Sequence, residues 1–187
     1  FNFSFRGSIV EQNIDAFDYD RDVPLVDVLS WVLMPNHFHL LISSDREDLW
    51  SEKHNPITEY MRKLSTSYVM YFNKKYNRSG TIFEGKFKSK YISDENYFNY
   101  IFLYIHLNPI KLINKNWKKD GVGDEIKMLN FLKEYKHSSC LDFFDKKETR
   151  KESKIINLVK IPDYLKNLKT KDLFPAFRSS HRSDLWE

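Results

Sequence analysis

Residues 26–43 read VDVLSWVLMPNHFHLLIS, and this stretch decides the fold. An apolar run rich in β-branched residues passes through a Pro-Asn pair and returns as a second apolar run. The pattern predicts a β-hairpin with strands at 26–34 and 37–43. Side chains two residues apart on a strand share one face. His37 and His39 are therefore expected to point to the same side, either as ligands of a divalent metal or as part of a half-exposed sheet face without a function.

Composition limits the class of protein. The chain has 187 residues and is 41% hydrophobic, which is enough apolar mass for one domain with a core and an appendage. A single cysteine, Cys140, excludes an internal disulfide and fits a reducing compartment. We find neither an apolar run of transmembrane length nor a signal peptide, so no membrane partner is expected.

Four further segments show periodic patterns. The alternation in FNFSFRGS (1–8) predicts a half-buried strand. A helix is predicted at 55–76, where Asn55 is a suitable N-cap, and its expected apolar stripe runs from Ile57 to Tyr71. Residues 81–92 predict a strand and residues 93–109 a second helix that ends at a proline. The order of these elements predicts an α+β fold, with an antiparallel sheet and helices on one side.

Positive charge is concentrated in the middle of the chain. Between residues 60 and 91 there are eight cationic side chains and one acidic side chain, Glu84. This region therefore carries a net charge of +7, whereas the whole chain carries +4. Lys86, Lys88 and Lys90 share one face of the predicted strand 81–92 and form a row that suits a phosphate backbone. The alternative is a solvated strand face.

From residue 111 onward the pattern is helical and lysine-rich, with candidate helices near 124–135 and 163–169. This tail could cover the site, bind DNA or pack on the rest of the protein. Because it is basic and amphipathic, we hypothesise that it adds a contact to DNA.

The second predicted helix supplies groups that suit the two histidines. Tyr104 and Asn108 lie one helical turn apart on the same face. The Asn108 amide oxygen would complete a set of three metal ligands with His37 and His39. A phenol, whose pKa is about 10 when free, becomes a reasonable nucleophile beside a metal-polarised phosphate. The alternative is a core tyrosine and an asparagine that ends a helix.

Three segments together resemble a known family. LMPNHFHLL (33–41), GTIFEGKFKSKYI (80–92) and YIHLNPIK (104–111), in this order, resemble the single-tyrosine HUH transposases. The similarity points to the branch called REP-associated tyrosine transposases, relatives of the insertion-sequence-200 type. It runs from SFRG (4–7) to YKHSSC (135–140). It therefore implies a catalytic domain at 1–140, followed by a lysine-rich, mostly helical extension at 141–187.

The resemblance implies a fold and a set of site residues. The fold would be a ferredoxin-like α+β sandwich. His37, His39 and Asn108 would bind a divalent metal, Mg²⁺ or Mn²⁺, and Tyr104 would be the nucleophile. Contacts to DNA would come from four basic side chains, namely Arg6, Lys86, Lys88 and Lys90.

The resemblance also implies a reaction. The substrate would be single-stranded DNA near an imperfect hairpin, and cleavage would leave a 5′-phosphotyrosine and a free 3′-OH. The enzyme would act as a monomer in the cytoplasm of a prokaryote, associated with the nucleoid. Two alternatives remain open at this stage. One is a hairpin-binding module without catalysis, and the other is a metal-dependent phosphodiester hydrolase without a covalent step.

The chain departs from the family pattern in two places. Ile110, Lys111 and Leu112 follow the Asn-Pro pair where the family often has a small residue and a glycine, so the loop after Asn108 is expected to differ. The basic strand carries lysines where the family often has arginine. Lysine binds phosphate as a point charge and reads bases less specifically.

Overall fold

The computed structural model describes residues 15, 17–18, 23–51, 55–121, 123–144 and 150–180. The strand predicted at 1–8 and the predicted DNA contact Arg6 lie outside these residues. The fold is mixed α+β, as predicted. The chain divides into two compact units. Of the described residues, those up to 27 and those between 43 and 91 belong to the first unit, whereas 28–42 and those after 91 belong to the second.

The predicted hairpin is confirmed. Strand β1 (Asp27–Leu33) and strand β2 (Phe38–Ser43) form a two-stranded antiparallel sheet. The Met34 amide donates to the His37 carbonyl at 2.8 Å and closes the turn over the Pro-Asn pair. The middle of β1 is buried and β2 is mostly half-buried.

The second edge of β1 is also hydrogen-bonded, although to short segments instead of a full strand. The amide-to-carbonyl bonds are Leu33 to His137 (2.8 Å), Ser139 to Trp31 (2.9 Å) and Asn157 to Val28 (2.9 Å). One isolated bridge is antiparallel, at Val32 and Ser138, and the other is parallel, at Val28 and Ile156. β1 therefore lies at the centre of the second unit, with backbone partners on both edges.

Helix α1 (Pro56–Lys75) matches the predicted helix 55–76. The Asn55 side chain accepts hydrogen bonds from the amides of Ile57 and Thr58 at 2.9 and 3.2 Å, as an N-cap does. The predicted apolar stripe is wrong beyond the first turns. Tyr60 and Met61 are buried, whereas Tyr68 and Tyr71 are 46% and 59% exposed.

Helix α2 (Glu95–Leu107) confirms the second predicted helix and is capped by Asp94, which accepts from the Tyr97 amide at 2.8 Å. Its C-terminal half is buried almost all round, as its continuous apolar sequence requires. The chain continues as a 3₁₀ helix, Asn108–Leu112. Pro109 has no backbone N–H to donate, which favours this change of helix type at that point.

The strand predicted at 81–92 is wrong. These residues form bends and irregular chain, and all side chains from Glu84 to Tyr91 are exposed. Alternation of phenylalanine and lysine produces a strand only where a neighbouring strand satisfies its backbone groups. None of the described residues pairs with this segment in a sheet.

The remaining helices are short, and all but one of them follow α2. The α-helices are α3 (Trp117–Asp120), α4 (Glu125–Glu134), α5 (Cys140–Phe143), α6 (Asp163–Lys166) and α7 (Leu173–Ser180). Short 3₁₀ helices occupy Glu47–Leu49, Lys151–Ile155, Leu158–Lys160 and Thr170–Asp172. Helices α4 and α6 confirm the helices predicted near 124–135 and 163–169, although α6 is shorter. Within the described ranges, no helix has the length and apolar character to cross a membrane.

The described part of the C-terminal extension packs on α2. The Phe177 ring of α7 lies 5.0 Å from the Tyr100 ring, measured between centroids, and Leu173 and Phe174 are fully buried. The Tyr164 hydroxyl donates to the Asn99 side chain at 2.7 Å. The expected boundary at 140/141 therefore does not coincide with the division between the two units. The apolar face of α7 belongs to the core.

A buried hydroxyl connects β1 to α2. The Ser139 hydroxyl donates to the Trp31 carbonyl (3.1 Å) and accepts from the Trp31 amide (2.9 Å). Its remaining contact, at 2.9 Å, is to Nε2 of His106. Which of the two groups donates in this contact depends on the tautomer of His106. Burial lowers the pKa of His106 to about 3, so the ring is neutral.

We predict that His106 makes stability depend on pH. The unfolded chain binds a proton at this imidazole below about pH 6.5, whereas the folded protein resists it down to about pH 3. Its contribution is therefore fully present above pH 6.5 and falls with pH, by roughly 1.4 kcal/mol per pH unit at most. Thermal unfolding from pH 7 to pH 4 measures the loss. His106→Gln keeps an N–H donor without titrating and should lose less stability over that range. Equal losses in both proteins would contradict the prediction.

Candidate active site

The hairpin brings the two histidine rings together. The centroids of His37 and His39 are 5.1 Å apart, and the ring planes are nearly perpendicular, at 83°. His37 is exposed at the start of the second strand and His39 is half-buried. This is the arrangement that strand alternation predicts.

Tyr104 of α2 lies beside the second histidine. Its ring centroid is 5.7 Å from that of His39, with an angle of 65° between the planes. Tyr104 is only 6% exposed because it belongs to the buried half of α2. Both histidines and the tyrosine belong to the second unit, so one compact body holds these residues of the predicted site.

Both imidazoles are held in the neutral form. Burial lowers the pKa of His39 to about 4. The repulsion that a protonated His37 would exert, and then the charges of Lys111 and Lys118, lower it further. Burial, followed by the charge of Lys111, also lowers the pKa of His37. Neutral imidazole has a free nitrogen lone pair, which is the form that ligates metals.

In each imidazole one ring nitrogen is available to a ligand. His37 Nδ1 lies 2.7 Å from the Asn36 amide oxygen, so Nδ1 carries the proton and Nε2 keeps its lone pair. Nε2 of His39 is buried and has no hydrogen-bond partner among the described residues. A buried ring nitrogen without a partner costs stability unless a ligand or water satisfies it.

Asn108, the predicted third ligand, is fully buried at the end of α2. Neither its amide oxygen nor its amide nitrogen has a hydrogen-bond partner in the described part of the chain. Its amide is therefore not hydrogen-bonded to either imidazole. An unsatisfied buried amide requires an explanation, and metal ligation through the oxygen is one that fits its position one turn after Tyr104.

These donors fit a divalent ion of the Mg²⁺ or Mn²⁺ class. Nowhere in the described ranges do three or more histidine, cysteine or carboxylate side chains form a group that could hold a metal. A third protein ligand from the described residues would then be of another kind, such as the Asn108 amide oxygen. Two neutral imidazoles with an amide oxygen suit Mn²⁺ by their softness, and the oxygens also suit Mg²⁺.

Two lysines that sequence reasoning did not assign to the site contact Tyr104. Lys111 donates a hydrogen bond from Nζ to the Tyr104 hydroxyl at 3.0 Å. Lys118 places Nζ 3.8 Å from the centroid of the Tyr104 ring, in a cation–π contact. Desolvation, followed by the charge of Lys111, lowers the pKa of Lys118 to about 8.

The two lysines differ in how far the sequence indicates their contact with Tyr104. Lys111 follows Tyr104 by seven residues, which would be two turns of a continuous α-helix, but the α-helix ends at Leu107, so the spacing alone does not predict the contact. Lys118 belongs to α3 and reaches the ring through the fold of the intervening connection, so no local pattern indicates it.

The predicted DNA-binding lysines lie in the first unit. Lys86, Lys88 and Lys90 are exposed on the irregular segment that replaces the predicted strand.

Exposed aromatic rings accompany positive charge in the same unit. Lys75 Nζ lies 5.5 Å from the Tyr71 centroid and 5.6 Å from the Tyr76 centroid, and Arg78 lies 5.6 Å from the Phe72 centroid. Interleaved cations and exposed aromatic rings are typical of surfaces that bind single-stranded nucleic acid.

Comparison with protein-family models, with curated proteins and with solved structures gives no match. The similarity to the HUH transposases therefore rests on the three sequence segments and stays a prediction.

We predict that DNA increases the affinity of the site for Mn²⁺. Two ammonium groups near the imidazoles repel a divalent cation, and a bound phosphodiester would neutralise part of that charge. Calorimetric titration of Tyr104→Phe with Mn²⁺ should show about tenfold tighter binding when a single-stranded hairpin DNA is present.

The control corrects for Mn²⁺ bound by the DNA itself. A Tyr104→Phe protein that also carries His37→Ala and His39→Ala should show no tight component, with or without DNA. An affinity that DNA leaves unchanged would contradict the electrostatic coupling.

Proposed function

We propose that this protein is a metal-dependent single-stranded DNA endonuclease and strand transferase of the HUH single-tyrosine transposase kind, which links Tyr104 to DNA near a hairpin. The observation that carries the proposal is the meeting of two neutral imidazoles with a buried tyrosine, at centroid distances of 5.1 and 5.7 Å. The β1–β2 hairpin and α2 follow one another in the order that the family resemblance requires. A complete ferredoxin-like sandwich is part of the proposal.

The proposed reaction balances without an external co-reactant. The Tyr104 oxygen forms a bond to phosphorus and loses its proton to solvent. The bond between phosphorus and the 3′ oxygen breaks, and the 3′ oxygen leaves with the electron pair and takes up a proton. The products are a 5′-phosphotyrosine and a free 3′-OH. Rejoining reverses the step, since the phosphotyrosine linkage conserves the energy of the phosphodiester.

A divalent metal has a defined place in this proposal. His37 and His39 would hold it with the Asn108 oxygen, and when bound it would neutralise charge on the phosphate under attack. The protein's own part is to keep both imidazoles neutral and to fix Tyr104 beside His39.

Binding of DNA is assigned to the basic surface of the first unit. Lys86, Lys88 and Lys90, with Arg6, would neutralise backbone phosphates. Because the segment is irregular, these lysines act as separate point charges and not as a straight row on a strand. Exposed rings such as Tyr71 and Tyr76 would stack on unpaired bases. Action as a monomer in the prokaryotic cytoplasm, near the nucleoid, is part of the same proposal.

The charged face of the C-terminal tail is a further proposed contact to DNA. Since α7 packs on α2 through Phe177, deletion of the tail would also uncover the core. Charge-reversing substitutions at exposed tail lysines test this contact without that complication.

The nucleophile is tested on a denaturing gel. Protein incubated with labelled single-stranded hairpin DNA and Mn²⁺ should give a slow-migrating covalent band, and Tyr104→Phe should abolish it. Tyr100→Phe is the matched control, because Tyr100 lies one turn earlier on α2 and stacks on Tyr104 at 6.2 Å. That variant should keep the band.

Two other results would select the alternative functions. Cleaved DNA without a covalent band, from the wild type, identifies a metal-dependent hydrolase. A shifted complex on a native gel with neither cleavage nor band identifies a hairpin-binding module.

The DNA surface is tested by salt dependence. Replacing Lys86, Lys88 and Lys90 with glutamine should reduce the slope of log Kd against log salt by about 2, since each phosphate contact to a single strand contributes roughly 0.7. The control replaces Lys127, Lys133 and Lys136, which are exposed in the second unit, with glutamine. An equal change of slope in both triple variants would show a non-specific effect of net charge.

A further inference from the structure

Two cations converge on one phenol in the candidate active site. Lys111 approaches the oxygen of Tyr104 through a hydrogen bond of 3.0 Å, and Lys118 covers the ring face at 3.8 Å. The two lysines come from different elements, the 3₁₀ helix after α2 and helix α3. Their convergence is therefore a property of the fold and not of one helical face.

This arrangement is electrostatically unfavourable when the site holds no anion. Like charges repel, and the lowered pKa of Lys118 reflects desolvation together with that repulsion. A negative charge at the Tyr104 oxygen, or on a phosphate joined to it, would strengthen the attraction of both lysines to the phenol and offset their mutual repulsion. Groups that stabilise charge only as it develops in the transition state are the ones that accelerate a reaction.

We propose that Lys111 is a further catalytic residue, which stabilises negative charge on the Tyr104 oxygen as that oxygen forms and breaks its bond to phosphorus, and that Lys118 is a positioning residue that acts through the ring. This inference rests on the proposed function.

The atoms involved make the inference specific. In cleavage, the Tyr104 oxygen loses its proton to solvent as it bonds to phosphorus. In rejoining, the 3′ hydroxyl oxygen attacks phosphorus and loses its proton, and the Tyr104 oxygen leaves with the electron pair. The Lys111 N–H contacts that same oxygen in both directions. Loss of Lys111 must therefore slow cleavage and rejoining together.

The position of Lys111 also gives a role to a departure from the family pattern. It lies in the segment Ile110–Leu112, where the family often has a small residue and a glycine. Ile110 is fully buried and anchors that segment, so the backbone that carries Lys111 is fixed beside Tyr104.

The test measures three quantities on the full chain. They are the rate constant for forming the covalent band at saturating hairpin DNA, the rate constant for its resolution by added 3′-OH strand, and the Kd for DNA. The variants are Lys111→Met and Lys118→Met, since methionine keeps an apolar stem and removes the charge. Lys115→Met is the matched control, because Lys115 is exposed in the same connection.

Lys111→Met should lower both rate constants about 100-fold, the usual effect of removing one donor to a developing oxyanion. Lys118→Met should lower them about tenfold, in keeping with a cation–π contact. The Kd for DNA should change by less than about threefold, since one phosphate contact at most is lost. Lys111→Arg should restore part of the rate, and Lys115→Met should match the wild type.

The outcomes separate this inference from the function on which it rests. If the wild type forms the covalent band and Lys111→Met forms and resolves it at the same rates, the inference is overturned and the function stands. A variant that loses DNA affinity but not the rate constants at saturation also overturns it. A wild type that never forms the band overturns both. If Lys111→Met proves unfolded by circular dichroism, Lys111→Gln takes its place with the same expected loss.

Discussion

The Ser139 hydroxyl is the contact on which the geometry of the site depends. It joins both backbone groups of Trp31 in β1 to the imidazole of His106 in α2, entirely within the protein interior. Apolar packing alone between the hairpin and the helix would permit small slips of one element against the other. Hydrogen bonds to a buried hydroxyl permit no such slip without leaving a polar group unsatisfied. Because His106 follows Tyr104 by two residues, fixing His106 also fixes where the Tyr104 ring meets His39.

The electrostatics of the site follow from that placement. Burial keeps the imidazoles neutral and available as ligands, while Lys111 and Lys118 surround the phenol with positive charge. These two features act against each other as long as only a metal is considered, because the lysines repel a cation. In the proposed function they would act together, because the charge of a bound phosphodiester would attract both the metal and the lysines.

The sequence predicts the parts of this structure that local patterns control. Strand alternation places His37 and His39 on one face, and capping residues with helical periodicity place α1 and α2 almost to the residue. The prediction of a strand at 81–92 is wrong, because an alternating pattern indicates which side chains would share a face but not whether a neighbouring strand exists. The prediction that Tyr68 and Tyr71 belong to a buried apolar stripe is wrong for a related reason, because such a stripe is buried only where another element covers it. No local sequence pattern predicts that Lys118 contacts Tyr104.

The amphipathic pattern of the C-terminal tail fits two roles, binding to DNA and packing in the core. The basic, amphipathic sequence of the tail predicts a contact to DNA. In the structure, Leu173, Phe174 and Phe177 are buried in the second unit, and Phe177 contacts the helix that carries Tyr104. That packing covers Tyr100, whose ring in turn stacks on the ring of Tyr104. The tail therefore connects to Tyr104, the proposed nucleophile, through two aromatic contacts, Phe177 to Tyr100 and Tyr100 to Tyr104. An effect of tail substitutions on chemistry is then expected through the position of Tyr104, whereas an effect on DNA binding must come from the charged face alone.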